Sequence, residues 1–140
     1  MKTIMRPRYY CEFCTKSSGS APHIKRHEAG CTLNPNRVCG LCREMGNDQP
    51  AMGNLLEVLR GFTPIEEDAS AKRWVAERLP KLREVANKCP ACIMAALRQT
   101  GIPVPLAEGF DYAKEHAEWW SIVNDAKATA ELERERYGYG

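Results

Sequence analysis

Seven cysteines and one histidine fall along this 140-residue chain as four close pairs: Cys11 with Cys14, His27 with Cys31, Cys39 with Cys42, and Cys89 with Cys92. Each pair brackets two or three residues, a spacing that lets one short turn, or one turn of helix, aim both donors at a single ion. Thiolate and imidazole in sets of four match a tetrahedral zinc ion, and eight donors make two closed sites. Neither site keeps a position for water, so the expected metals are structural rather than Lewis acids. We expect two zinc ions, each contributing on the order of 10 kcal/mol to folding.

The pairs can be wired in two ways. In the sequential wiring the first two pairs share one ion and the last two share the other. The widest bracket then spans the forty-six residues between Cys42 and Cys89, and the second metal acts through loop closure, as a cross-link does. Gly40 is expected to permit the tight turn between Cys39 and Cys42. In the alternative wiring the pairs alternate between the two ions. Other uses of the sulfurs are disfavoured: seven cysteines is an odd number for disulfides, and no export signal is read at Met1 to Arg8. Cys89-Pro90-Ala91-Cys92 resembles a redox dithiol at a helix start, but such a site follows a strand, and Leu82 to Lys88 reads as helix. A treble-clef nuclease needs histidines between its knuckles, and none lies between Cys42 and Cys89.

The elements that must position these donors are mostly helical. Tyr9 to Cys14 reads as a short strand entering a knuckle, and Lys16 to Ser20 as a polar turn. Ala21 to Ala29 reads as a helix, with Pro22 near its start and Gly30 at its end. Thr32 to Arg37 reads as a linker. Leu55, Leu56, Val58 and Leu59 predict a short helix closed by Gly61, and Thr63-Pro64-Ile65-Glu66 is a capping box opening the next. In that next helix Trp74, Val75, Leu79, Leu82, Val85 and Ala86 form a buried face that Pro80 is expected to kink or break. Pro90 to Thr100 predicts a helix ended by Gly101 and Pro103. Asp111 is placed to cap a last helix, whose stripe is Tyr112, His116, Trp119, Val123, Ala126 and Ala130. Along that helix His116 reads as a satisfied core histidine and Trp120 as an exposed indole, while Glu131 to Arg136 reads as solvent-facing. The expected fold is mainly α with small zinc-bound hairpin and knuckle elements. It divides into a finger at 1–33, a helical domain at 38–136 closed by four cysteines, and a flexible tail at 137–140.

Residues 9–31 resemble the zinc finger with two cysteines on a hairpin and two donors on a helix, in the variant ending in cysteine. Twelve residues separate Cys14 from His27, three separate His27 from Cys31, and Ile24 occupies the family's apolar position one turn earlier. His27 rather than His23 is taken as ligand because it completes the four-residue step to Cys31. The resemblance implies that Ser20, His23 and Arg26 reach base edges, with Lys25 beside them. Ser17-Ser18 stands where the family carries an apolar residue, and Pro22 lies inside the reading helix. The alternating wiring is similar to the cross-braced RING arrangement and implies a ubiquitin-ligase-type module.

Composition narrows the functional class. With 44% hydrophobic and 27% charged residues, the chain reads as a water-soluble globular protein without a membrane span. Seven thiolates and two divalent ions take the formal +2 to about −1, so total charge is no argument for a polyanion. Its distribution is: residues 1 to 43 hold eight Lys or Arg against two Glu, and the remainder twelve against sixteen Asp or Glu. No nucleophile with a base, no phosphate loop and no open metal site is visible, so a non-enzyme without a small-molecule substrate is expected. A cytoplasmic nucleic-acid-binding regulator is the first expectation, with the nucleus open to it in a eukaryote. A protein-binding component of an assembly, held through Trp120 and the tyrosine tail, is the second.

Overall fold

Helix α5 (Pro90–Thr100) is the element around which the rest is arranged, for a reason visible in its side chains. Pro90, Cys92, Ile93, Ala95, Ala96 and Leu97 are all buried, so the helix is apolar on nearly every side and needs neighbours on nearly every side. It receives them from α3 (Met52–Val58) and α6 (Tyr112–Tyr137), while α4 (Asp68–Val85) packs on α3. The computed structural model describes residues 1–46, 48–63 and 68–137, with backbone alone at 126 and 130–137. The remaining elements are the antiparallel strands β1 (Tyr9–Tyr10) and β2 (Ser17–Ser18), the helices α1 (Ala21–Gly30) and α2 (Gly40–Met45), and a 3-10 turn at Val104–Leu106. The chain is therefore mainly helical with one two-stranded sheet. No helix of the described residues is long and apolar enough to cross a membrane.

The core gathers Leu55 from α3 and Leu59 from its C-cap, Val75, Leu79 and Leu82 from α4, and Ile93 and Leu97 from α5, all 2% exposed or less. Phe110 and Ile102 close one end of it. Two chain reversals at the ends of α4 and α5 aim the next segments, and both are Schellman caps. At the end of α5, Ile102 N donates to Leu97 O at 2.9 Å and Gly101 N to Arg98 O at 3.1 Å, with Gly101 at φ 82°. At the end of α4, Lys88 N donates to Arg83 O at 2.9 Å and Asn87 N to Glu84 O at 3.2 Å. Asn87 and Lys88 there adopt φ of 54° and 63°, two consecutive left-handed residues without glycine. That turn delivers Cys89 to the N-cap of α5.

Several expectations are corrected. Ser17–Ser18 is a strand, pairing Tyr9 with Ser18 and Tyr10 with Ser17, because the hairpin that holds the first cysteines needs a second arm. Pro80 does not break α4, which runs through it. Pro80 and Ala76 both lie on the exposed side, so the carbonyl that loses its partner is open to water. Gly30 does end α1, as expected, with Cys31 in the cap position. Asp111 does cap α6, its Oδ1 accepting from Lys114 N at 3.1 Å, and Trp119 and Val123 are buried as the stripe requires. The capping box at 63–66 lies outside the described residues beyond Thr63, as do the Ala126, Ala130 and 131–136 side chains and the tail at 138–140.

Candidate metal centres

The donors form two groups, and the wiring is sequential. Cys11, Cys14, His27 and Cys31 make one, Cys39, Cys42, Cys89 and Cys92 the other, and within each the ligand atoms lie within 4.8 Å of one another. The alternating arrangement, and with it the RING-like reading, is thereby overturned, since the first and third pairs do not meet.

The spacings fit a tetrahedral ion of the size expected. With metal–sulfur bonds of about 2.3 Å, the sulfurs of a regular tetrahedron stand about 3.8 Å apart. Cys39 Sγ to Cys89 Sγ is 3.5 Å, Cys42 Sγ to Cys92 Sγ is 3.6 Å, and Cys14 Sγ to His27 Nε2 is 3.2 Å. A disulfide would need about 2.05 Å, and all seven cysteines are free. Soft donors in closed sets of four suit an ion such as zinc.

At the first centre the hairpin supplies two sulfurs and α1 supplies the imidazole. Cys11 N donates to Lys16 O at 2.9 Å to close the knuckle, Phe13 N donates to Cys11 Sγ, and Lys16 N to Cys14 Sγ, each at 3.4 Å. The Lys16 amide is the main reason the Cys14 thiol falls from 9.0 to about 7. Burial pushes the Cys31 thiol the other way. His27, half-buried, is the histidine that joins the donor group, while His23 is exposed. Ile24 is 4% exposed and packs the helix onto the hairpin. Ser20, His23, Lys25 and Arg26 are all at the surface, and the Ser20 hydroxyl caps α1 by accepting from His23 N at 3.4 Å.

At the second centre all four cysteines are buried. Cys39 caps α2, its sulfur accepting from Cys42 N at 3.4 Å, and Cys89 holds the N-cap position of α5 without a capping bond from its sulfur. Gly40 is the first residue of α2 with no positive φ, so the expected tight glycine turn is absent; the helix start itself brings the amide to the sulfur. Hydrogen bonds from the Cys89 and Cys92 thiols hold the Cys39 thiol far below its ordinary value. Burial, then repulsion from its neighbours, pushes Cys42 up to about 12. Cys89 and Cys92 are raised as well, chiefly by the hydrogen bonds their thiols donate to the Cys39 sulfur. Without metal, then, the four sulfurs share protons around one thiolate, and an ion must displace the others to bind.

Two residues of this centre carry no sequence signal. Arg37, counted above among the basic residues of the first half, is only 6% exposed. Its Nη1 stands 3.9 Å from Cys92 Sγ and its Nε donates to Gly30 O at 3.4 Å. Four thiolates around one divalent ion leave a buried charge of about −2, and a guanidinium beside it offsets that cost. Gln49 fixes the same stretch: its Oε1 accepts from Cys39 N and its Nε2 donates to Arg37 O at 2.8 Å.

The segment 32–37 is itself held. Arg98 Nη1 donates to Thr32 Oγ1 at 2.7 Å, and Gln99 Nε2 donates to the carbonyls of Thr32 and Asn34 at 2.9 and 3.1 Å. Val38 N donates to Ala29 O at 2.8 Å. On α6, Trp120 is half-buried rather than exposed, its Nε1 donating to His116 Nε2 at 2.9 Å. His116 is satisfied, as expected, although half-buried; the indole that was to meet a partner is already engaged. Comparison with protein-family models, with curated proteins and with solved structures finds no match for this chain.

Proposed function

We propose that this chain is a zinc-stabilised, non-enzymatic nucleic-acid-binding protein of regulatory type, with the finger as its binding end. Two zinc ions are the metals the donor sets suit best, and both serve the fold. The observation that carries the reading is where the cations stand. Lys2, Arg6, Arg8, Lys16, Lys25 and Arg26 are all exposed on residues 1–31, against Glu12 and Glu28. Three thiolates and one zinc leave that region at about +3. The one buried cation of the first half, Arg37, answers the other metal instead. Charge of one sign gathered at one end favours a polyanion and steers it there.

The test is a titration of the metal-loaded protein with DNA and with RNA at two salt concentrations. Binding that weakens with salt, and weakens further in the Lys25→Ala, Arg26→Ala double variant while both ions are retained, supports the reading. Equal binding at both salts, or none, rejects it.

A further inference from the structure

We propose that the groove between β1 and α1 binds single-stranded nucleic acid, with a base stacked on Tyr10 and the adjoining phosphates held by Arg8 and Lys25. The inference rests on the nucleic-acid reading above and gives it a face and a strandedness.

The groove encloses about 540 Å³, and Arg8, Tyr9, Tyr10, Pro22 and Lys25 line it. Folding alone gives no reason for two tyrosines there. Tyr10 is 64% exposed and Tyr9 39%, and their cross-strand partners are Ser17 and Ser18, too small to cover a phenol ring. The ring of Tyr10 is therefore a flat apolar face left to solvent beside two cations. Arg8 is fixed at the rim, since its Nε donates to Ser17 Oγ at 3.0 Å, and its terminal nitrogens remain for a phosphate. Glu28 also lines the groove, but its Oε1 accepts from Glu12 N at 3.3 Å, which turns the carboxylate toward the knuckle backbone. Lys25 carries the opposite charge from the same helix.

Strandedness follows from what an aromatic face recognises. Bases in a duplex offer only their edges, whereas a splayed base offers its face, and stacking on an aromatic ring tolerates any base. The positions that would read base edges are not in the groove's lining: at about 100° per residue, His23 and Arg26 stand about 160° and 100° round α1 from Lys25, with Arg26 one turn from Pro22 at the groove's edge. The two modes thus use neighbouring sides of one helix, and substitutions separate them.

The experiment is fluorescence anisotropy of the full-length, metal-loaded protein with a labelled oligothymidylate, an oligouridylate and a duplex of equal length. The variants are Tyr10→Thr, which keeps strand preference without the ring, Tyr10→Phe, which keeps the ring, and Arg26→Ala. Each is first shown to retain two ions. We expect tighter binding to single strands than to duplex, about tenfold weaker single-strand binding in Tyr10→Thr, and little change in Tyr10→Phe or Arg26→Ala. Arg8→Ala and Lys25→Ala should each lower the salt slope by about 0.7. Duplex binding that depends on Arg26 but not Tyr10, or single-strand binding indifferent to Tyr10→Thr, overturns the groove and leaves the general reading standing. Absence of binding to all three probes removes both.

Discussion

The finger's four donors close a short hairpin against one ten-residue helix, and two of them, Cys14 and His27, are only half-buried. The four cysteines of the second centre are all buried and join α2 to the central helix α5 across forty-six intervening residues. Loop length does not make the difference. In the chain-entropy picture, closing the widest bracket of the finger constrains the unfolded chain by about 3 kcal/mol and closing the longer one by about 4 kcal/mol. The difference lies in what each bracket encloses. The first holds Ile24 and the outer face of a hairpin. The second holds α3 and α4, hence Leu55, Leu59, Val75, Leu79 and Leu82. A metal at the first would organise a surface, one at the second a core.

The sharpest way to break that contrast is to remove one ligand from each centre. Cys89→Ser should leave a protein without a cooperative thermal transition, because loss of a structural zinc removes on the order of 10 kcal/mol, comparable to the whole stability of a domain. Cys14→Ser should bind one ion instead of two and still melt cooperatively by circular dichroism. If Cys14→Ser were as unfolded as Cys89→Ser, the two centres would form one cooperative unit.

Next in size is Arg37. Arg37→Ala leaves the four-thiolate centre without the guanidinium beside Cys92, and should weaken metal binding there about 10- to 100-fold. A chelator competition in the Cys14→Ser background isolates this centre. Arg37→Lys should recover only part, since an ammonium does not span Gly30 O and Cys92 as the planar fork does. Equal affinities in all three proteins would show that the buried charge needs no local answer.

The donors were legible in the sequence because metal geometry forces short, regular spacing, and the same is true of α5 and α6, whose end signals at Pro90, Gly101 and Asp111 are local. Arg37 was not. A basic residue two positions before a knuckle reads as one more surface cation, and only the packing of 30–37 beneath α5 turns it inward. Gln49 is in the same position, since a polar residue in a loop gives no hint that its amide will clamp Cys39 N and Arg37 O. Pro80 shows the converse: the lost hydrogen bond was read correctly, but that α4 runs on through it, with the freed carbonyl facing water, is a tertiary fact. The β2 strand was hidden because two serines have little strand preference of their own, and the knuckle imposes the pairing.

Acid separates the centres more gently. Cys42, at about 12, and the raised Cys89 and Cys92 must lose protons to bind metal, whereas Cys14, at about 7, is already half-ionised at neutral pH. Metal affinity should fall at both centres as pH drops, and near pH 7 more steeply at the second, where three thiols shed protons while Cys14 is already half-ionised, by about half a power of ten per pH unit. For the metal-free fold the signs oppose. The Cys42 contribution is present below pH 9 and lost as pH rises toward 12; the Cys14 contribution is present above pH 9 and lost as pH falls through 7. Zinc titrations with a chromophoric chelator between pH 6 and 8 check the slopes, and parallel slopes would remove the distinction.

The smallest effect tests the geometry of the second knuckle itself. Gly40 sits between two ligands and Gly101 ends the helix that carries two more, so a sequence reading treats both as conformationally required. An added Cβ would meet nothing within 4 Å at either position, so crowding does not distinguish them and backbone conformation must. Gly101 has φ 82°, where an L side chain costs about 1 kcal/mol, while Gly40 has the ordinary φ of a helix start. Gly101→Ala should therefore lower stability by about 1 kcal/mol in urea melts. Gly40→Ala should instead raise it by about 0.4–1 kcal/mol and leave zinc affinity unaltered. A Gly40→Ala protein that loses metal would mean that the Cys42 amide reaches the Cys39 sulfur through a glycine-only turn after all, and that the helix start does not by itself form the knuckle.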